Sequence, residues 1–174
     1  MSARHALFPG TFDPLTLGHA DVLRRALALW ERVTVAVAAG GKQTLLSLAD
    51  RLEMVRRVVA ATGQGDRCRV VPLRGLLVDL RRELGADVVV RGLRSVADLE
   101  HEQSMAAANR RLDPDYEIVC LFARPDLGMI SSTLVRDIIR CGGPLAAVVP
   151  PEVAAFLDGR IAGNGDHTGA GDGG

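Results

Sequence analysis

No feature of the sequence limits the possible folds more than the alternation of short apolar runs with segments whose apolar residues recur at helical spacing. Runs rich in valine and alanine, such as 33–39 and 88–90, are typical of buried parallel strands. Repeated strand–helix units with short connections predict a parallel sheet covered on both faces, with right-handed crossovers. Strands are predicted from Ala6 to a break at Pro9-Gly10, and then at 33–39, 70–71, 88–90 and 117–122. Helices are predicted over 22–30, 76–84, 96–112, 131–140 and 151–161, and a further helix is predicted to begin after Ser47, which would cap it. The sequence therefore predicts an α/β fold, a Rossmann-like, doubly wound, five-stranded parallel sheet in a single domain over residues 1–162.

Charge and composition exclude several kinds of protein. The formal net charge of the 174 residues is zero, which argues against a nucleic-acid binder that works through a general basic field. Three widely spaced cysteines (Cys68, Cys120 and Cys141) form no CxxC pair and are expected to be reduced. We find no signal-peptide pattern and no apolar run long enough to cross a bilayer. We therefore expect a soluble, cytoplasmic protein, with a disordered glycine-rich tail at 163–174.

The turn after the first strand predicts a phosphate-binding site. In parallel sheets ligands bind at the carboxyl ends of the strands, and here the segment PGTFDP (9–14) precedes a helix that opens with TLGH (16–19). Glycine lets a backbone approach a ligand closely, and a helix N-terminus offers unpaired N–H groups to an anion. His19 lies in the first helical turn, where the helix dipole favours a neutral ring that still donates one N–H. A plain turn with a surface histidine is the alternative explanation.

Two later segments predict further contacts with an anion. Arg91 and Arg94 flank a glycine directly after the fourth strand, and each guanidinium can hold a phosphate bidentately. The segment ISST (130–133) opens a helix after the fifth strand, where hydroxyl and free N–H groups suit a triphosphate. A solvated arginine pair and a simple capping serine are the alternatives. No Ser–His–acid, Cys–His or paired-carboxylate constellation is evident, which favours a reaction driven by positioning and charge stabilisation.

The motifs PGTFDP and TLGH resemble the paired signature of the T/HxGH nucleotidyltransferase superfamily. Within it, the segments RGLR (91–94), VADLEHE (96–102) and ISST resemble those of the bacterial phosphopantetheine adenylyltransferases. The resemblance covers about residues 6–161. It implies transfer of AMP from ATP to 4′-phosphopantetheine, giving dephospho-coenzyme A and pyrophosphate, with Mg²⁺ bound mostly by ATP oxygens and water, and assembly into a homohexamer.

The resemblance also implies roles for individual residues. His19, Lys42 and Arg91 would be catalytic, and Thr11, Lys42, Leu77 and Arg91 would contact the acceptor. The position of Asn109 also matches an asparagine of the family. No residue is expected to bind a metal directly. The expected ATP contacts are Thr11, Phe12, His19, Gly92, Leu93, Arg94, Glu102, Leu127, Gly128, Met129, Ile130, Ser131, Ser132 and Thr133.

The sequence departs from the family pattern at positions that affect specificity, near the acceptor before Lys42 and beside the adenine at Leu127. The segment before Lys42 is one residue shorter than usual, His101 replaces a frequent tyrosine, and Leu127 replaces a common aromatic residue. Three alternatives therefore stay open: an enzyme that adenylylates nicotinamide mononucleotide, a cytidylyltransferase that uses CTP, and a nucleotide-binding module without turnover.

Overall fold

A computed structural model describes residues 4–40 and 43–164, with the last four by backbone alone. The strands are β1 (His5–Gly10), β2 (Arg32–Ala38), β3 (Cys68–Leu73), β4 (Val88–Leu93) and β5 (Ile118–Phe122). The helices are α1 (Leu17–Leu29), α2 (Leu48–Ala61), α3 (Leu77–Leu84), α4 (Val96–Leu112), α5 (Ser132–Arg140) and α6 (Pro151–Asn164). None of the helices described is long and apolar enough to cross a membrane.

The five strands form one parallel sheet in the order β3-β2-β1-β4-β5, which confirms the predicted doubly wound fold. The chain reverses its direction of winding between β1 and β4, the place where such sheets bind ligands. Residues of α1, α2, α5 and α6 pack on one face of the sheet around a large apolar core. The opposite face carries a smaller core, which includes Val78 of α3 and Ala106 of α4.

Three strands are longer than predicted, and one of them is β3, which spans Cys68–Leu73 where only 70–71 was predicted. β1 continues through Pro9 and Gly10, which pair with Ala36 and Val37, although the sequence predicted a break there. β4 likewise includes Arg91, Gly92 and Leu93, which were predicted to follow it. Proline and glycine are tolerated because β1 pairs with β4 only at Ala6 and Leu7, so no ladder partner needs an N–H from Pro9 on that side.

Helix ends follow the expected capping chemistry. Thr16, Ser47, Ser95 and Ser131 each accept a hydrogen bond from the first turn of the helix they precede. Gly85 ends α3 with a φ of 59°, a conformation that glycine adopts without strain. Helix α6 runs to Asn164, three residues beyond its predicted end at 161, and includes the first two residues of the predicted tail. The rest of that tail, 165–174, lies outside the described residues.

Substituting Gly10 by alanine should destabilise the protein. A Cβ at this position would lie 2.7 Å from Cζ of the buried Phe12 ring, so the ring or the strand must shift. We expect a loss of about 1–3 kcal/mol in the free energy of unfolding, measured by urea denaturation. Gly159→Ala is the control, because no atom lies within 4 Å of its added Cβ. An unchanged urea midpoint for Gly10→Ala would contradict this account of the turn.

Candidate active site

The site lies where β1 and β4 separate. Their pairing ends at Leu7 and Val89, and two residues further along β4 the side chain of Arg91 reaches across to β1. Its Nη1 donates a 2.8 Å hydrogen bond to the carbonyl of Pro9. An arginine side chain thus takes the carbonyl that the ladder leaves unpaired, and it brings a positive charge to the opening between the strands.

The turn after β1 is folded back on itself around Phe12. This residue has a φ of 50°, which is uncommon for a residue other than glycine, and its ring is buried. The ring lies over Gly10 and makes edge-to-face contacts with Phe8 and with His19, whose ring centroid is 5.2 Å away. Phe12, predicted as an ATP contact, therefore packs against the His19 ring and supports its position.

His19 is oriented by the cap of its own helix. The backbone N–H of Thr16 donates to Nδ1 of His19 at 3.1 Å, and the Thr16 hydroxyl lies 3.0 Å from the same nitrogen. Because a backbone N–H can only donate, Nδ1 is the acceptor and the neutral ring carries its proton on Nε2. Burial, and then the positive charges of Arg94 and Arg91, lower the pKa of His19 from 6.5 to about 4. At neutral pH the ring is an uncharged N–H donor.

Two of the predicted arginines act electrostatically on the predicted histidine. The guanidinium groups of Arg94 and Arg91 both act on the His19 ring, so the structure brings together the side chains expected to surround the nucleotide phosphates. Arg94 is held by Asp98 of α4, which accepts from its backbone N–H at 2.9 Å and from Nε at 3.1 Å. Burial raises the pKa of Asp98, but the hydrogen bonds and charge of Arg94 outweigh this and lower it.

Glu102 and Asn109 of α4 contact different partners, Arg91 and Tyr116. Glu102 is buried, and its Oε1 accepts from Nε of Arg91 at 2.8 Å. Asn109 lies beside the hydroxyl of Tyr116, whose pKa is raised by burial. Sequence reasoning expected Glu102 to contact ATP and did not foresee its pairing with Arg91, because the two residues are joined only by the packing of α4 on the sheet.

A buried aspartate and a buried arginine, both missed by sequence reasoning, fix the loop after β2. Asp13 accepts the backbone N–H groups of Leu45 and Leu46 at 2.7 and 2.9 Å. Arg51 of α2 donates to the carbonyls of Thr11 and Ala38, each at 2.8 Å. The PGTFDP turn is therefore tied to both ends of the loop that carries Lys42. Lys42 itself lies outside the described residues. Asp13 is part of the PGTFDP motif, so the sequence already pointed to this residue, although not to its hold on the loop.

The start of α5 closes the site from the other side. Ser131 caps the helix, which is the simple role that the sequence left open, and the hydroxyl of Ser132 donates to the carbonyl of Pro14 at 2.9 Å. Thr133 accepts from Arg136. The carbonyls of Leu127 and Ile130 face Gly18 at the start of α1, while Met129 is exposed. The turn that includes Gly128 therefore borders the same helix N-terminus as His19.

A shallow cleft of about 430 Å³ lies beside the turn, at the ends of β2 and β3. Its lining is Ala38, Ala39, Gly40, Leu73, Arg74 and Gly75. Leu77, the first residue of α3, is partly buried and packs against the smaller core two residues beyond this lining. Among the described residues, no group of three histidine, cysteine, aspartate or glutamate side chains is arranged to hold a metal ion.

A family model described as cytidylyltransferase-like matches residues 7–138. A phosphopantetheine adenylyltransferase from Cereibacter sphaeroides (strain ATCC 17029) is 46% identical over 158 residues, which cover 88% of this chain and 96% of the relative. One from Paracoccus denitrificans is 45% identical over 91% of this chain and 99% of its own length. This chain belongs to the phosphopantetheine adenylyltransferase family. It is accordingly a nucleotidyltransferase.

Solved structures that share the fold are more distant in sequence. A putative nicotinate-nucleotide adenylyltransferase from Vibrio parahaemolyticus superposes with a TM-score of 0.68 over 90% of this chain and 93% of that chain, at 17% identity. A bifunctional NMN adenylyltransferase/ADP ribose pyrophosphatase from Francisella tularensis, complexed with AMP and a manganese ion, gives 0.70 at 14% identity. The match covers 92% of this chain and 49% of the bifunctional protein. At these identities the comparison shows only that this chain has the same fold as those proteins.

The protonation of His19 can be tested by NMR. We expect a ring with its proton on Nε2 and a pKa of about 4 in the unliganded protein. Because the unfolded chain binds this proton below about pH 6.5 and the folded chain only near pH 4, the free energy of unfolding should fall as the pH is lowered through that interval.

His19→Gln is the matched control, since it cannot be protonated. The part of the pH dependence that is lost in this variant belongs to His19, even though the pKa of the buried His5 is also lowered by burial. A His19 that titrates at 6.5 or above without ligand would overturn the assigned neutral state.

Proposed function

We propose that this chain transfers the adenylyl group of ATP to 4′-phosphopantetheine, producing dephospho-coenzyme A and pyrophosphate in coenzyme A biosynthesis. One observation carries the proposal: Arg91 reaches Pro9 where β1 and β4 separate, and the charges of Arg91 and Arg94 both act on His19 at the start of α1. The 46% identity to phosphopantetheine adenylyltransferases over nearly the whole chain supports this choice of acceptor. The enzyme would act in the cytoplasm.

The reaction needs no protein nucleophile. An anionic oxygen of the acceptor phosphate attacks the α-phosphorus of ATP, and a new phosphorus–oxygen bond forms. The bond from the α-phosphorus to the bridging oxygen breaks, and pyrophosphate leaves with the electron pair. The protein holds the two anions in line and stabilises the charge that develops on the five-coordinate phosphorus.

His19 serves this step as a preorganised donor. Thr16 fixes Nδ1 as an acceptor, so the Nε2–H is available for an α-phosphate oxygen without any proton transfer. A neutral donor between two arginines avoids a third positive charge that would be costly in the empty site. Arg91 contacts the acceptor phosphate, and Arg94 holds the departing pyrophosphate. Each such donor contributes roughly 3 kcal/mol to transition-state stabilisation.

Lys42 supplies a further positive charge. It is the only lysine in a chain that has 21 lysine and arginine residues, so nearly every other basic position is arginine. A compact ammonium on a flexible stem can follow a phosphate through the reaction, whereas a planar guanidinium prefers one orientation. The presence of a lysine at position 42, in a chain that otherwise uses arginine, supports a requirement for lysine there. The loop that carries it is fixed at Leu45 and Leu46 by Asp13.

The other proposed contacts follow from position around the same opening. Thr11 and Phe12 lie in the first turn, Gly92 and Leu93 end β4, and Glu102 lies behind Arg91. The remaining ATP contacts are those of the turn and cap before α5: Leu127, Gly128, Met129, Ile130, Ser131, Ser132 and Thr133. Mg²⁺, when bound, would neutralise phosphate charge, and its ligands would be ATP oxygens and water, since the described residues offer no cluster of metal ligands.

The acceptor is proposed to lie along the ends of β2 and β3. The cleft there is open, and Arg74 is the cationic side chain among the described residues that line it. Its phosphate would reach Thr11, Lys42 and Arg91, and its pantetheine arm would pass Leu77 at the start of α3. The cleft is mostly lined by small and apolar residues, which suits an uncharged, extended arm.

The homohexamer expected from the family is supported by the surface of α4. Only Glu102 and Ala106 of its 17 residues are buried, and its apolar residues Val96, Leu99, Met105 and Leu112 are exposed. Exposed apolar residues that the chain itself does not cover are available to a protein interface. Light scattering coupled to gel filtration would decide the number of copies.

The acceptor can be identified by measuring pyrophosphate release. The purified protein should form pyrophosphate from ATP and 4′-phosphopantetheine, and not when nicotinamide mononucleotide replaces the acceptor or CTP replaces ATP. His19→Ala should lower kcat by about 10²–10³-fold while ATP still binds in calorimetry. Activity restricted to another acceptor, or ATP binding without any product, would refute the proposal.

The single lysine allows a selective chemical test. Sulfosuccinimidyl acetate should inactivate the enzyme as Lys42 becomes acetylated, because loss of its charge removes a phosphate contact, and ATP together with the acceptor should slow the reaction. Lys42→Arg is the matched control, in which only the N-terminal amine can react and the residual activity should not change. Full activity after complete acetylation of Lys42, verified by peptide mass spectrometry, would exclude a catalytic role.

A further inference from the structure

A buried arginine of α2 joins β1 to β2 at the end of their pairing. The two strands pair as far as Gly10 and Val37. Directly beyond that last pair, Nη1 of Arg51 donates to the carbonyls of Thr11 and Ala38, each at 2.8 Å. A single nitrogen therefore holds the two chain segments together at the point where their own register ends.

Arg51 is too deeply buried to contact a substrate. The residue is only 2% exposed, whereas the side chain of Arg91 is 30% exposed. Its Nε donates to the carbonyl of Leu46 at 3.3 Å, so the described hydrogen bonds of Arg51 all go to backbone oxygens. Any effect of Arg51 on the reaction must therefore pass through the backbone segments that it holds.

A buried guanidinium is a costly way to fill space. Burial lowers the pKa of Arg51, and the charge of Asp13 opposes this. The lost hydration is offset only where the donors find partners, and an apolar side chain of similar length would fill the volume without that cost. What this arginine contributes is the hold on its carbonyls, two of which belong to the first turn and to the end of β2.

Both of these segments border the region proposed for the acceptor. Thr11 is a proposed contact of the acceptor phosphate, and Ala38 lines the cleft at the ends of β2 and β3. We propose that Arg51 is a positioning residue, which fixes the first turn against the end of β2 and so sets the place of the acceptor relative to the nucleotide. The inference rests on the proposed function, in which the acceptor lies along this cleft. A misplacement of about 1 Å can cost on the order of 10²-fold in rate, so a residue that touches no substrate can control turnover.

Arg51→Met tests the proposal, because it keeps an apolar stem and removes the charge and all the donors. We expect the KM for 4′-phosphopantetheine to rise, and binding of this acceptor in calorimetry to weaken, by about tenfold to 100-fold. The KM for ATP should change much less, since most of the proposed ATP contacts lie on β4, α4 and the turn before α5. Partial unfolding alone would lower kcat with the folded fraction and leave both KM values unchanged.

A double-mutant cycle with Thr11→Val shows whether the effect passes through the first turn. Thr11→Val removes the hydroxyl proposed to contact the acceptor phosphate and leaves the backbone carbonyl that Arg51 holds. If Arg51 acts by placing Thr11, Arg51→Met should weaken acceptor binding less in the Thr11→Val background than in the wild type.

Arg67→Met is the matched control at the opposite edge of the sheet. Arg67 directly precedes β3, and its guanidinium also holds three backbone carbonyls, those of Leu27, Trp30 and Glu31. Its loss should lower the free energy of unfolding and leave both KM values as in the wild type. Arg51→Lys is the second variant, in case Arg51→Met does not fold, and it should show the same selective loss to a smaller degree, because it keeps the charge without the planar fork.

Each outcome decides the proposal. A selective loss of acceptor binding that shrinks in the Thr11→Val background would support it. Wild-type acceptor binding in a folded Arg51 variant, an equal rise in both KM values, additive losses with Thr11→Val, or the same rise in Arg67→Met would overturn it. A wild-type protein that neither binds nor uses 4′-phosphopantetheine would instead refute the proposed function, which keeps the two failures distinct.

Discussion

The separation of β1 from β4 is the constraint on which the site depends. A parallel ladder satisfies every backbone group between two strands, so an opening in it needs another partner for the groups that it releases. Here Pro9 has no N–H to satisfy, and its carbonyl is taken by Arg91, 82 residues away in sequence. Because the side chain of Arg91 takes the place of a neighbouring strand here, the two strands can separate and a positive charge lies in the gap between them. The reacting phosphates are proposed to enter there.

The acidic partners of the two arginines all lie on the α4 side of the opening between β1 and β4. Asp98 and Glu102 approach Arg94 and Arg91 from α4, so the arginines are anchored from behind and keep a positive field toward the opening. The neutral His19 fits this arrangement, since a third cation would repel both guanidinium groups. An unliganded site with this charge pattern is prepared for an anion, and ligand binding need not first reorganise the protein.

The sequence predicts those features that are encoded locally. The bounds of α4, the Ser47 and Ser131 caps and the Gly85 end of α3 follow from short-range patterns, and the order of elements leads to the parallel sheet. The pairing of Glu102 with Arg91, and the hold of Asp13 on the loop after β2, depend on tertiary packing and leave no periodic signal. The extension of β1 through Pro9 was missed for a related reason: proline stops a strand only where a neighbour needs its N–H, and that neighbour is known only from the topology.

Helix α4 links the site to the surface of the molecule. Its inner face positions both arginines, whereas it buries only two residues and leaves Val96, Leu99 and Met105 exposed. A helix with so little apolar burial would be stabilised further by a partner that covers it, because packing rather than propensity stabilises helices in proteins. If copies of the chain assemble over this face, as proposed, the contact that completes the oligomer also steadies Glu102 behind Arg91. Assembly and the geometry of Arg91 would then depend on the same helix, and a substitution at the exposed Met105 would change both together.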